Sequence, residues 1–169
     1  MTVGAFIEQW LNDSVRGSVR QSTYQRDESL CRVHMVPGLG RKRLKTLNAA
    51  DVQRFYRAKL DSGLSTATVH KLHVVLHKAL KQAVRWGLVP RNVADDVDPP
   101  KAHKEEVHPL TNEQARKLLQ TARGERLEAL YVMAIQSGLR QGELLALRWE
   151  DVDLQAHGIG LPHSHEKPR

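Results

Sequence analysis

The segment from Ser65 to Trp86 constrains the fold of this 169-residue chain more than any other stretch. Its apolar residues recur at the three- and four-residue spacing of an α-helix and fall on one half of the helical wheel. Ser65 or Thr66 can cap its start, and Gly87 and Pro90 close it. The chain is 40% apolar, enough for helical cores, but only 5% aromatic, which is low for a β-sandwich or barrel. The predicted fold class is therefore mainly α.

Three shorter helices are predicted before this segment. The first has an apolar stripe at helical spacing, the second is stopped by Pro37 and Gly38, and the third ends at Gly63. Their predicted extents are Val3 to Leu11, Ser22 or Thr23 to about Met35, and Asn48 or Asp51 to Gly63.

The charged residues on the other half of the long helix are all basic. Residues 62–94 contain no Asp or Glu. Solvated helix faces usually mix signs, because opposite charges at i, i+4 add about 0.2–0.5 kcal/mol. We therefore interpret this face as a surface that meets phosphates, with an ordinary solvated face as the alternative. Its residues are His70, Lys71, His77, Lys78, Lys81 and Arg85.

The charge of the chain is unevenly distributed. The formal net charge is +7. Residues 1–104 contain 18 Lys and Arg against 9 Asp and Glu, whereas residues 105–169 contain 8 against 10. A basic first part favours an anionic polymer as partner, because each neutralised phosphate releases condensed counterions.

Four of the seven prolines fall between residues 90 and 109, together with an acidic cluster at Asp95, Asp96 and Asp98. Proline lacks a backbone donor and restricts the residue before it, so a continuous helix is not expected here. We therefore divide the chain into a helical domain of residues 1–90, a linker of residues 91–109, and a second unit of residues 110–169.

Composition and spacing argue against several site types. Cys31 is the only cysteine, which excludes a disulfide framework. His70, His73 and His77 lie at i, i+3 and i+7, but no carboxylate stands at ligand spacing, so we predict no metal and expect His73 to pack in the interior. No apolar run reaches the ~18–20 residues of a membrane span, and no signal-like segment opens the chain, so we expect a cytoplasmic protein without a membrane partner.

The second unit begins with a capping box, Thr111 and Gln114. A helix from Arg126 to Ser137 follows, with Gly138 as its left-handed cap. Ile159 can begin a strand, for which the sequence suggests no partner. We expect the helix to bury five residues, Leu127, Leu130, Tyr131, Ala134 and Ile135.

The segment that follows this helix carries the most specific motif. It reads Ser137-Gly138-Leu139-Arg140-Gln141-Gly142-Glu143-Leu144, then Leu147-Arg148-Trp149 and Asp151-Val152-Asp153-Leu154. This pattern closely resembles the first catalytic-arginine motif of tyrosine recombinases, the phage integrase family. Three upstream stretches resemble that family's core-binding domain, so the resemblance covers about residues 2–155. They are Val36-Pro37-Gly38-Leu39-Gly40, residues 63–69 and residues 83–94.

The resemblance implies a SAM-like helical core-binding domain followed by an incomplete catalytic domain. It implies a clamp on double-stranded DNA, other recombinase protomers as partners, no cofactor and no small-molecule substrate. In the family a tyrosine attacks a DNA phosphodiester. Arg140 matches the first catalytic arginine, whose planar fork suits two phosphate oxygens. Glu143 is three residues on, so in a helix it lies on the same side as Arg140 and can orient the guanidinium; an ordinary i, i+3 ion pair is the alternative.

The 169 residues depart from the family pattern after Arg140. Tyrosine occurs only at Tyr24, Tyr56 and Tyr131, and no histidine is followed by arginine three residues later. Lys167 has no convincing hairpin around it to match the family's lysine. We therefore expect a truncated recombinase that binds DNA without cutting it. The alternatives are a noncatalytic DNA-binding regulator derived from a recombinase and a helical protein-interaction module.

Residues 110–169 contain apolar side chains without the sheet and helices that would cover them in a whole catalytic domain. We expect this part to be loosely ordered or to self-associate, because exposed apolar patches of several hundred Å² are unusual in monomers. His163 and His165 form a second histidine pair, for which a metal is again not predicted.

Overall fold

The structure is a computed structural model that describes residues 1–101, 108–153 and 158–159. The chain divides into two compact units, Met1–Glu105 and Glu106–Arg169. The described residues are mostly helical, which confirms the predicted fold class. Among them, no helix is both long enough and apolar enough to cross a bilayer.

The first unit is a helical bundle. Helix α1 (Val3–Trp10) runs on into a π-helical turn at Leu11–Val15, and helix α2 (Gln21–Leu30) into another at Cys31–Met35. Two short 3-10 helices, Leu44–Thr46 and Val93–Asp96, complete the unit. The α-helices are α1 (Val3–Trp10), α2 (Gln21–Leu30), α3 (Val36–Leu39), α4 (Ala49–Asp61) and α5 (Thr66–Arg85).

Side-chain caps fix the starts of the two longest helices where the sequence predicts them. The Asn48 side chain accepts a 2.9 Å hydrogen bond from the Asp51 amide at the start of α4. The Ser65 hydroxyl accepts one of 3.2 Å from the Thr68 amide at the start of α5. Each bond satisfies a backbone donor that has no partner within its helix. Gly87 follows the end of α5 with φ at +69°.

The predictions for the second helix are wrong at both ends. The helix begins at Gln21 after Arg20, so Ser22 and Thr23 lie in its first turn and do not cap it. Pro37 does not end the helical segment. The π-helical turn before it leads into α3 and places the proline in the first turn of that helix. A missing amide donor costs little in a first turn.

The core of the first unit lies between α1, α4 and α5. Phe6 of α1 meets Trp86 edge to face, with ring centroids 6.0 Å apart. Tyr56 of α4 is completely buried. Helix α5 contributes its whole apolar face, and each such large side chain stabilises the fold by about 1.5–3 kcal/mol. The buried residues of α5 are Val69, Leu72, Val75, Leu76, Ala79, Leu80 and Ala83.

The start of the predicted linker is packed against the bundle. Residues Val93–Asp96 form a 3-10 helix against α5 and α4. Asn92, Ala94 and Val97 are all buried. The proline-based prediction missed this packing because 3-10 helices are short and carry little periodic signal.

The second unit contains three helices and a small sheet in its described residues. Both hydrogen bonds of the predicted capping box form, since the Thr111 amide donates to Gln114 and the Gln114 amide to the Thr111 hydroxyl. Gly138 has φ at +65°, as predicted. The elements are α6 (Asn112–Thr121), α7 (Glu128–Ser137), α8 (Gln141–Ala146), a 3-10 helix at Trp149–Asp151, β1 (Val152–Asp153) and β2 (Gly158–Ile159).

Two sequence expectations for this unit need correction. The strand at Ile159 does have a partner, because β2 pairs antiparallel with β1 and Ile159 stands opposite Val152. None of the five residues expected to be buried along α7 is buried: Leu127 and Tyr131 are exposed, and Leu130, Ala134 and Ile135 are half-buried. Among residues 108–152, only Ala122 is buried.

Candidate nucleic-acid interface

Helix α5 turns its charged side to solvent because its other side fills the core. Lys71, Lys78, Lys81 and Arg85 are all exposed. We call these four residues the basic surface of α5. Val74 lies among them and is 38% exposed. The surface is therefore a ridge of four cations around one small apolar side chain.

The four cations of the basic surface form no ion pair with any described residue. Six other cations of the same unit stand beside carboxylates, whereas Arg16, Arg20, Arg41, Arg43, Lys45 and Lys59 likewise form no ion pair with a described residue. A row of like charges without counter-charges accumulates repulsion, which an external polyanion would relieve. The pairs elsewhere are Arg26–Asp27, Arg32–Glu28, Lys42–Asp51, Arg54–Asp51, Arg57–Asp61 and Arg91–Asp96.

The three histidines of α5 have different surroundings. His73 packs between α4 and α5, with its Nδ1 atom 3.1 Å from the Tyr56 hydroxyl, which confirms that it packs in the interior. Burial, followed by the nearby His77 and His70, lowers the pKa of His73. His70 is half-buried. In the described part of the chain, no three His, Cys, Asp or Glu side chains are grouped as a metal site requires.

His77 has an acidic neighbour that the sequence did not indicate. Its Nε2 atom lies 2.7 Å from Oδ1 of Asp95. The amide nitrogen of Asn92 donates to the same Asp95 oxygen and to the backbone carbonyl of His77, both at 3.3 Å. Asn92 and Asp95 follow α5 in the chain, and residue spacing alone does not reveal how a loop folds back onto a helix. The signal available was the Asn residue, a frequent turn and cap residue.

Arg140 and Glu143 lie at the start of α8 in the second unit. The Glu143 carboxylate accepts hydrogen bonds from the Arg140 backbone amide at 2.8 Å and from its guanidinium at 3.1 Å. These bonds, the backbone one first, lower the pKa of Glu143. The Arg140 side chain is 87% exposed. Space is open beside Gly142, where an added Cβ would meet nothing within 4 Å.

The arrangement can hold an oxyanion at Arg140. One guanidinium nitrogen is bonded to Glu143, and a guanidinium carries further donors in a planar fork that matches two phosphate oxygens. Glu143 contacts the guanidinium, and its role as an orienting residue stays a prediction. His163, His165 and Lys167 lie outside the described residues.

Comparisons with known proteins agree on one family. Residues 2–60 match the family described as phage integrase, N-terminal SAM-like domain. An integrase of Saccharopolyspora erythraea is 31% identical over 162 residues, which cover 95% of this chain and 37% of that protein. An integrase of Streptomyces ambofaciens is 34% identical over 155 residues, covering 91% of this chain and 39% of that protein. The chain thus spans about two fifths of the length of these relatives.

Solved structures give the same result. A phage integrase SAM-like domain from Moorella thermoacetica is 42% identical, with a TM-score of 0.54, and the match covers 64% of this chain and 92% of that one. A lambda integrase dimer bound to a core site has a TM-score of 0.81 at 20% identity, covering 90% of this chain and 56% of that one. The Tn1549 transposon integrase in complex with circular intermediate DNA has a TM-score of 0.74 at 24% identity, with 92% and 52% covered.

Proposed function

Because the chain belongs to the phage integrase family of tyrosine recombinases, we propose that its first unit binds duplex DNA through the basic surface of α5. The observation that carries this proposal is the absence of a counter-charge: none of the four cations has an acidic partner among the described residues. DNA presents one negative charge per ~1.7 Å of helix axis, so such a ridge is suited to its backbone. His70 and His77 flank the ridge and join it in this proposal.

The solved relatives support the proposal. One lambda integrase structure is bound to DNA, another is a dimer bound to a core site, and the Tn1549 integrase is in complex with circular intermediate DNA. These descriptions concern those proteins. They make double-stranded DNA the first partner to test for this chain and other recombinase protomers the second.

Arg140 is proposed as a phosphate clamp in the second unit, with Glu143 as its orienting residue. A permanently charged fork can stabilise negative charge that develops on a phosphate during strand transfer. The family's reaction also needs a tyrosine nucleophile, and these 169 residues contain no tyrosine beyond Tyr131 and no His-x-x-Arg sequence. The proposed activity of the 169-residue chain is therefore DNA binding without strand cleavage.

The test is a titration of a labelled duplex with the 169-residue chain at several salt concentrations. Affinity should fall steeply between about 50 and 200 mM salt. Each cation that neutralises a phosphate contributes about 0.9 to the slope of log affinity against log salt. Replacing Lys71, Lys78, Lys81 and Arg85 together by Gln should lower that slope by about 3 to 4.

A matched control separates the effect of the basic surface on DNA affinity from the effect of net charge. Lys78→Gln with Lys81→Gln removes two charges from the basic surface, whereas Arg32→Gln with Arg57→Gln removes two from exposed ion pairs elsewhere. The first pair should weaken binding and the second should change it little. No binding at low salt would reject the proposed function, and an unchanged slope in the fourfold variant would assign the DNA to another face. Incubation with duplex DNA should yield no covalent protein–DNA adduct.

A further inference from the structure

An acidic side chain is held at the edge of the basic surface of α5. Asp95 belongs to the 3-10 helix Val93–Asp96, and its Oδ1 atom lies 2.7 Å from Nε2 of His77. On α5, Lys81 is one turn beyond His77, about 6 Å along the same side of the helix. Exposed charges interact over about 8 Å at physiological ionic strength, so this carboxylate lies close enough to affect an anion bound at the ridge.

The position of Asp95 is fixed by a buried residue. Asn92 is 8% exposed, and its side-chain nitrogen donates to Asp95 and to the His77 carbonyl. Its side-chain oxygen accepts from the Ala94 amide at 3.1 Å. All hydrogen-bonding groups of the Asn92 side chain are thus engaged between the 3-10 helix and α5. The carboxylate cannot move away from the ridge without breaking these bonds.

The charge of Asp95 is not fully cancelled by its neighbours. The adjacent Asp96 pairs with Arg91 at 2.9 Å, and arginine is always charged. The group that contacts Asp95 is an imidazole and not a permanently charged guanidinium. The Asp95 side chain is also 59% exposed, so it faces solvent and any polymer lying there.

We infer that Asp95 limits the affinity of the basic surface of α5 for DNA of arbitrary sequence. This inference rests on the proposed function. Nonspecific binding is essentially all electrostatic, whereas contacts with base edges depend little on a charge at the periphery. A carboxylate facing the phosphates therefore weakens nonspecific binding most. Asp95 would act as a specificity-determining residue, repelling the backbone where the ridge would otherwise bind any duplex.

The test measures affinity for a duplex of arbitrary sequence at pH 8 and low salt. Asp95→Asn removes the charge and keeps an oxygen that can accept from His77 and Asn92, and it should bind about threefold or more tightly than the unmodified chain. Asp95→Glu keeps the charge and should show no gain. Asp13→Asn makes the same change in net charge at an exposed residue of another helix and should also show no gain.

The outcomes distinguish this inference from the proposed function. A gain confined to the variants without charge at position 95 supports the inference. If the unmodified chain binds through the basic surface but Asp95→Asn is unchanged, weaker, or no tighter than Asp13→Asn, the inference alone is overturned. If the unmodified chain binds no duplex at low salt, the proposed function and the inference fail together. Urea unfolding of each variant checks that it is folded, and Asp95→Ser repeats the charge removal with a smaller side chain.

Discussion

The Tyr56 hydroxyl lies 3.1 Å from Nδ1 of His73 and joins α4 to α5. The two rings also meet at a steep angle, with centroids 5.8 Å apart. Tyr56 is completely buried, and its burial raises the pKa of the phenol above the ordinary value of 10.0. His73 is the only described partner of that hydroxyl, so the pair holds the helix that carries the proposed DNA contacts.

Tyr56→Phe should lower the free energy of unfolding by about 0.5–1.5 kcal/mol, the usual net contribution of one hydrogen bond. The phenylalanine ring keeps the packing and removes only the hydroxyl. Urea unfolding followed by circular dichroism measures the change. Tyr24→Phe is the matched control, because Tyr24 is half-buried and its hydroxyl has no hydrogen-bond partner among the described residues. Equal losses in the two variants would contradict a specific role for the Tyr56–His73 bond.

The lowered pKa of His73 predicts how stability depends on pH. Burial is the main cause of the shift from the ordinary value of 6.5, with His77 and His70 contributing next. The unfolded chain therefore binds a proton at His73 at higher pH than the folded chain does. The free energy of unfolding should fall as pH drops below about 6.5 and level off below the lowered pKa.

His73→Gln should flatten this pH dependence in urea titrations between about pH 7.5 and 5.5. The flattening is partial, because burial also lowers the pKa of His34. His34 therefore also makes the free energy of unfolding fall with decreasing pH. His70→Gln is the comparison on the same helix. A dependence that His73→Gln leaves unchanged would mean that His73 is protonated equally in the folded and unfolded states.

Asp51 connects α4 to the segment after α3 through a buried carboxylate. Lys42 donates to it at 2.8 Å and Arg54 also binds it, while its own side chain is 5% exposed. Asp51→Asn should lower the free energy of unfolding by about 1–3 kcal/mol, because two charge-assisted hydrogen bonds are weakened. Asp61→Asn breaks the exposed Arg57–Asp61 pair and should cost less than about 1 kcal/mol.

The Asp51 carboxylate also predicts that the free energy of unfolding falls at acidic pH. The hydrogen bond from Lys42 is the largest cause that lowers the pKa of Asp51 below its ordinary 3.8. The stabilisation is present above pH 3.8 and is lost as pH falls through the lowered value. Asp51→Asn should therefore lose less stability than the unmodified chain on acidification. If the free energy of unfolding falls equally with acidification in both proteins, Asp51 is not the cause of the loss.

The sequence predicted those parts of the fold that depend on neighbours along the chain. The apolar stripe of α5, the caps at Asn48 and Ser65, the capping box at Thr111 and the left-handed Gly138 all depend on spacings within one helix or turn. The resemblance to the integrase family agrees with the comparisons for the same local reason, since its motifs are short and contiguous.

The features that sequence reasoning missed depend on contacts between distant residues. The contact of His77 with Asp95 spans 18 positions, and that of Tyr56 with His73 spans 17. The pairing of Ile159 with Val152 joins residues seven positions apart, and no periodic pattern within either short strand indicates it. Pro37 was misread because a π-helical turn, which has no clear sequence signature, places it at the start of α3. The roles of Arg140, Glu143 and the six residues of α5 stay predictions.

The second unit gives the last prediction, which concerns local stability. Its helices have little covered surface: among residues 108–152 only Ala122 is buried, and Trp149 and Leu145 are 86% and 68% exposed. Amides in helices with few buried contacts open by local unfolding at low free-energy cost. Hydrogen exchange of the 169-residue chain should therefore be much faster in residues 126–149 than in residues 66–84. If exchange becomes faster on dilution, the second unit also self-associates through its exposed apolar side chains. Equally slow exchange in the two segments would contradict the expected loose order and show that the second unit is stable as it stands.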